Sequence, residues 1–143
     1  FDYIIVDCAP SLSLITVNAL AAVHSVLIPM QCEYYALEGL ADLTQTIDRI
    51  QQALNPDLHI VGVLRTMYDA RNALTRDVSE ELEQYFGKKL YDTVIPRNVR
   101  LAEAPAHGLP IIYFEKSSKG AVAYLNLAAE MLKKSKVKKG IKA

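Results

Sequence analysis

The sequence predicts an α/β layered fold on a mostly parallel sheet, and three observations carry that prediction. The strand-like runs are continuously apolar rather than alternating, as in strands covered on both faces. Between them lie stretches with apolar residues at three- and four-residue spacing, as in crossover helices. Polar residues collect just after the runs end, where open α/β sheets bind ligands.

The elements follow in order. Residues 3–6 are β-branched and aromatic and end at Asp7, which makes them the first predicted strand. Ser11 can cap a helix running to about Val23. Residues 25–30 form a second strand, expected to stop around Pro29. The polar and aromatic stretch 31–35 leads into a long helix with Leu40, Leu43, Ile47, Ile50 and Leu54 on one stripe. Asn55-Pro56 closes it. Residues 58–67 form a third strand, followed by a loop over 68–73. The next helix places Val78, Leu82, Tyr85 and Phe86 on one face and stops at Gly87. Glu80, Glu81 and Glu83 make its solvated face, near the N-terminus where carboxylates suit the helix dipole. Residues 91–95 form a short strand ending at Pro96. Residues 98–106 read as a short helix or turn, 109–114 as a short extended piece, and 118–134 as a final helix with Val122, Leu125, Ala129 and Leu132 inward. No repeat or linker divides the chain, so one domain over 1–132 and a lysine-rich tail over 133–143 are expected.

The chain has 143 residues and is 51% hydrophobic, enough for one real core. Its formal charge is zero, but the balance is uneven. All sixteen acidic residues precede residue 133, whereas six of the sixteen basic residues are lysines between Lys133 and Lys142. The body, with ten basic and sixteen acidic residues, is net acidic by six. The tail reads as a solvated terminus or as a weak contact for nucleic acid or an anionic membrane. Cys8 and Cys32 belong to no metal-type or disulfide pattern and are expected as buried free thiols in a reducing compartment. His24, His59 and His107 lack metal-ligand spacing. No run approaches the ~18 apolar residues of a membrane span, and no leader pattern is visible. The chain opens at Phe1 without methionine and enters a strand-like run at once, so a piece of a longer protein is expected.

The chemistry should lie at 7–11, 31–35, 66–72 and 96–100, the segments after the strands. An apolar strand ending in a carboxylate can hold Mg²⁺ beside a nucleotide's phosphates. It can equally cap a turn. The companion glycine-rich loop G-x-x-x-x-G-K-[ST] is absent.

Residues 1–12, FDYIIVDCAPSL, resemble the Walker B segment of the ParA/Soj partition ATPases. Residues 31–40, QCEYYALEGL, and 94–105, VIPRNVRLAEAP, are similar to two further motifs of that family, in family order. The resemblance covers nearly everything but the lysine tail. Ala9 departs from it, standing where the family usually has the first of two prolines.

The resemblance implies a P-loop NTPase-like fold, incomplete here because the unit with the phosphate loop and its lysines is missing. Asp7 matches the aspartate that holds Mg²⁺ through water. Thr66, Met67, Pro96, Arg97 and Asn98 match the adenine-side segments, with Met67 and Pro96 as flat apolar walls. Arg71 and Arg100 match arginines that bind DNA without sequence preference. Tyr34 and Tyr35 offer base-stacking faces or pack the loop. No catalytic residue is assigned in this stretch, and the chain alone is expected to be inactive as an ATPase. The resemblance further implies, for the full-length protein, ATP and Mg²⁺ as cofactors, which this stretch alone is expected to bind weakly or not at all, together with an ATP-driven homodimer, non-specific DNA, and a centromere-binding adaptor of the ParB/Spo0J type. It places the protein in the bacterial cytoplasm on the nucleoid, serving a chromosome or a plasmid. Two other readings stay open: a membrane-cycling relative of the cell-division-site type, and a non-catalytic interaction module. The tail offers only Val137 and Ile141 as apolar groups, so stable membrane insertion is not expected. In the family's sheet the phosphate-loop strand lies beside the Asp7 strand. Without it an unpaired edge or gap remains, and rearranged pairing or self-association is expected.

Overall fold

The computed structural model describes residues 1–9 and 13–139, with side chains as far as residue 135. Its elements run α1 (Leu14–Ala22), β1 (Ser25–Gln31), α2 (Tyr34–Ala53), β2 (His59–Tyr68), α3 (Ala73–Phe86), β3 (Leu90–Pro96), α4 (Val99–Glu103), α5 (Ile111–Phe114) and α6 (Lys119–Lys139). Short 3₁₀ turns lie at Gly87–Lys89 and Ala104–His107. Among the described residues the sheet has three parallel strands in the order β1-β2-β3. The α/β layered class with a parallel sheet, predicted from the apolar runs, is the architecture observed, as the resemblance to the P-loop NTPase-like fold also implies.

Alternation along the strands sorts the core into two layers. Ile28, Met30 and Val63 face Leu20 of α1, Leu40, Ile47 and Ile50 of α2, and Val78 and Leu82 of α3. On the other side Leu64, Tyr91 and Ile95 meet Ala123 and Leu127 of α6. Helix α5 joins that side through Ile111, packed with Ala104 and Ala121. Burial of this kind contributes roughly 1.5–3 kcal/mol per large apolar side chain. The Asn55 amide closes the α1 end by donating to the carbonyls of Leu20 at 3.0 Å and Val23 at 2.8 Å.

Several expectations need correction. Residues 3–6 form no strand: residues 1–9 carry no secondary structure and are exposed, Cys8 with them. A single strand is stable only on a ladder, and among the described residues none stands beside this run. The Tyr3 hydroxyl instead meets that of Ser135 at 2.9 Å. Ser11 lies outside the described residues, and Ser13 is the N-cap of α1, its hydroxyl accepting from the Thr16 N–H. Pro29 does not stop β1, which runs on to Gln31. A proline is tolerated because, among the described residues, β1 has a partner on one side only. Leu54 and Tyr85 are exposed although they fall on the predicted inner faces. Glu80, Glu81 and Glu83 lie past the middle of α3, whose first turn holds no acid. Residues 109–114 are not extended: after Pro110, α5 forms with the Pro110 carbonyl accepting from the N–H groups of Tyr113 and Phe114.

Helix α6 is turned relative to expectation. Val122, Leu125, Ala129 and Leu132 point outward, while Ala121, Ala123 and Leu127 are buried. On the same inner side, Glu130 fastens α6 to β3 by accepting from the N–H groups of Asp92 and Thr93, both at 3.0 Å. Lys134, inside the predicted tail, pairs with Glu130 at 3.1 Å and stands 4.1 Å from the Tyr91 ring centre. Burial alone raises the Glu130 pKa. The Thr93 and Asp92 donors and Lys134 outweigh it and hold the carboxyl below its usual range. The folded value is depressed, so this stabilisation is present above the ordinary carboxylate pKa and is lost as pH falls through the folded one. Glu130→Ala leaves two strand donors unmatched and should lower stability by about 2 kcal/mol at neutral pH. Urea midpoints should show that difference shrinking at acid pH; a pH-independent difference would exclude the carboxylate's part in it.

Candidate functional site

The three strands run parallel, so their C-terminal ends open on one rim. There Gln31 at the end of β1, Cys32 and Glu33 after it, Met67 and Asp69 at the end of β2, Asn72, Leu74 and Thr75 opening α3, and Arg97 after β3 surround a cleft of about 110 Å³. That is smaller than the ~300–1,000 Å³ of a complete small-molecule site. The lining carries two carboxylates and one guanidinium. Such a surface suits a neutral ring with polar edges better than a polyphosphate.

Met67 has a φ of 51°, the left-handed region that side chains other than glycine rarely adopt. The pairing of β2 with β3 shifts between Arg65 and Tyr68, as at a bulge. Bulges re-aim side chains, and Met67, 42% exposed, borders the cleft. Strain of roughly 1–3 kcal/mol of this kind concentrates at functional sites. Nothing in the sequence signals it. Across the rim the Arg97 N–H donates to the Tyr68 carbonyl at 3.1 Å, tying the end of β3 to that of β2. Cys32 is buried; burial pushes its thiol pKa up, with Arg65 opposing.

Of the five residues matched to an adenine pocket, Met67 and Arg97 border the cleft. Thr66 pairs with Gln31 in the ladder, and Pro96 stands opposite Tyr68. Asn98 caps α4, its side-chain carbonyl accepting from the Leu101 N–H at 3.3 Å. The cleft adds four residues that the sequence placed in post-strand segments without a role: Gln31, Cys32, Glu33 and Asn72. It also adds Asp69. Tyr34 and Tyr35 are exposed and meet each other edge to face at 5.4 Å, so they do not pack the loop. Asp7 is exposed within segment 1–9, which carries no secondary structure.

Both arginines matched to DNA contacts are exposed, and both are paired. Arg71 is held in a fork by Asp69, with Nε donating at 2.9 Å and Nη2 at 2.7 Å. Arg100 donates to Glu103 at 2.7 Å. Hydrogen bonds from the Arg71 side chain and backbone hold the Asp69 carboxyl down at about 2. Asp69 is therefore ionised and paired throughout the neutral range. Among the described residues no group of three or more His, Cys, Asp or Glu gathers as a metal site, and no helix is long and apolar enough to cross a membrane.

Comparison with known proteins places the chain in context. A family described as an AAA domain matches residues 1–60. The chain is 60% identical over 131 residues to the sporulation initiation inhibitor protein Soj of Bacillus subtilis, covering 92% of this chain and 52% of that protein. It is 55% identical over 134 residues to the chromosome partitioning protein ParA of Myxococcus xanthus, covering 94% and 47%. Among solved structures it resembles cobyrinic acid a,c-diamide synthase from Mycobacterium smegmatis with bound ADP and magnesium. There the TM-score is 0.70 at 35% identity, over 91% of this chain and 46% of that one. The chain thus spans about half the length of the curated relatives it matches.

Proposed function

We infer that this chain, a relative of the ParA/Soj chromosome-partitioning proteins over nearly its whole length, supplies the base-side wall and the DNA-facing arginines of a partition ATPase. The observation that carries the reading is the cleft at the ends of all three strands, with Met67 held in a left-handed conformation at its wall. The lining fits the adenine end of ATP: an apolar Met67 face for the ring, with Gln31 and Asn72 amides near for its edge. Its two carboxylates make it a poor phosphate site. The β- and γ-phosphates belong with lysines, and this lining carries none. Mg²⁺, when bound, would neutralise those phosphates, and Asp7, matched by the family resemblance and exposed and free of ion pairs among the described residues, is a carboxylate that could hold it. The same reading takes ATP to dimerise the protein, the dimer to coat DNA without sequence preference, and a centromere-binding adaptor to trigger its release.

Substitution at Met67 tests the base-side assignment apart from stability. In the gene product that carries these residues, Met67→Gly removes the apolar wall while relieving the positive φ. Affinity for a fluorescent adenine nucleotide with Mg²⁺ should fall roughly 10-fold, and the melting midpoint should hold or rise, because about 1 kcal/mol of strain is relieved. Unchanged nucleotide affinity in a folded variant would remove Met67 from the site.

A further inference from the structure

Arg65, on the middle strand, is half-buried, and it enters no ion pair among the described residues. Its guanidinium donates instead to neutral oxygens. Nη1 reaches the Ser79 hydroxyl of α3 at 2.7 Å, and Nη2 reaches the Tyr91 and Asp92 carbonyls of β3 at 2.8 and 3.4 Å. Nε is buried and has no partner among the described residues. A guanidinium taken out of water without a carboxylate or a full set of acceptors adds little stability, and an apolar side chain of similar volume serves a core better. What such a group can supply is specificity, by selecting one set of backbone acceptors over another.

The acceptors that Arg65 selects belong to an irregular stretch of ladder. Val63 pairs with Leu90 and Arg65 with Val94, so β3 carries two more residues than β2 over that interval. Tyr68 then pairs with Pro96, so beyond Arg65 the extra residue, one this time, lies in β2. Bulged residues lose their ladder partners. In β3 those groups find side chains: Arg65 serves the Tyr91 and Asp92 carbonyls, and Glu130 serves the Asp92 and Thr93 N–H groups. In β2 the irregular interval contains Met67, whose φ is 51°. Strict alternation would put Tyr68 on the opposite face of the sheet from Arg65. The bulge turns its ring to 5.9 Å from the guanidinium carbon. We propose that Arg65 is a positioning residue of the strand-end cleft: by holding the extra residues of β3 it sets the β2–β3 register that aims Met67 and carries the Arg97 N–H to the Tyr68 carbonyl. A slip of one residue would send the side chains of β3 to the opposite faces. Through Ser79 the same guanidinium ties down α3, whose N-terminal end brings Asn72, Leu74 and Thr75 to the cleft. Arg65 itself does not line it. The proposal rests on the base-side reading only for the ligand that reports it.

Arg65→Met, made in the gene product that carries these residues, keeps an unbranched stem and removes every donor. Two measurements on it test the proposal: amide hydrogen exchange and titration with a fluorescent adenine nucleotide and Mg²⁺. Exchange at the Asp92, Thr93 and Arg97 N–H groups should rise at least ~10-fold relative to the amides of α2. Nucleotide affinity should fall about 10-fold, through a cleft whose walls have moved. Arg65→Lys, which keeps the charge but not the fork, should recover part of both. The control is Ile47→Ala or Ile47→Val, whichever matches the melting midpoint of Arg65→Met, at a fully buried residue of α2 away from β3. It should leave the relative exchange and the affinity as they are. Unchanged exchange at Arg97 in Arg65→Met would overturn the proposal, and so would an equal loss of affinity in the Ile47 variant. If exchange rises while affinity holds, Met67→Gly decides. Affinity lost in Met67→Gly means that the cleft does not depend on the register, and the proposal fails. Affinity held there means that the nucleotide does not use Met67; the base-side reading then fails, and the exchange result supports the register assignment on its own.

Discussion

Gly62→Ala should lower the stability of the chain by about 3 kcal/mol, at the upper end of ordinary overpacking. A Cβ at residue 62 would stand 2.3 Å from Tyr91 Cε2 and 2.7 Å from the Lys89 carbonyl oxygen. The first contact is with the ring of one of the largest fully buried side chains, and the second is with backbone. Neither can step aside cheaply. Tyr91 is buried and tethered: its carbonyl accepts from Arg65 Nη2 at 2.8 Å, and Lys134 stands over its ring. Relief would have to come from parting β2 and β3, whose pairing sets the ends that carry Met67 and Arg97. For a domain of this size the shift in melting midpoint is roughly 10 °C. Gly39→Ala is the control. Nothing stands within 4 Å of a Cβ there, and the position lies inside α2, so alanine should add about 0.5–1 kcal/mol. Equal midpoints for wild type and Gly62→Ala would show that the two strands do not meet as described.

How much of this was readable in advance depended on whether local pattern or neighbours decided the outcome. The stripe Leu40, Ile47 and Ile50 and the run of β2 placed themselves, because each has one apolar solution and a sheet to meet it. The run 3–6 has equal strand character but no neighbouring strand among the described residues, and strand propensity without a ladder yields no strand. Helix α6 offered two apolar stripes. The smaller side chains won, since Ala121 and Ala123 let the helix approach closely while Gly120 faces Leu101. Composition could not rank the two, because the bulkier stripe was the more hydrophobic. At the site, the positions after each strand were legible from topology alone. The left-handed Met67 and the pairing of Asp69 with Arg71 were not, because both arise where chain direction and side-chain reach are settled by tertiary neighbours.

That pairing gives the second large effect, with opposite signs at adjacent positions. In the gene product that carries these residues, Arg71→Ala with Arg100→Ala should weaken binding to random-sequence DNA roughly 50-fold at 0.1 M salt, because each phosphate left without its guanidinium lowers the salt slope by about 0.9. Asp69→Asn should act the other way. It removes the carboxylate that grips Arg71 in a two-point fork and leaves the guanidinium free for phosphate. Affinity should rise several-fold and the slope should steepen by up to about 1. Asp69 is ionised down to about pH 2, so between pH 6 and 8 the difference from wild type should not change; a pH-dependent gap would point to another group. Asp69 also borders the strand-end cleft. If the base-side and DNA-side readings describe one machine, Asp69→Asn should weaken adenine-nucleotide binding while it strengthens DNA binding. Arg100→Ala, at a residue paired to Glu103 away from the cleft lining, should leave the nucleotide untouched. Filter binding across a salt series, run beside nucleotide titrations on the same preparations, separates the cases. Parallel losses of both activities in Asp69→Asn would indicate simple misfolding. Unchanged salt slopes in the arginine variants would remove Arg71 and Arg100 from the DNA surface.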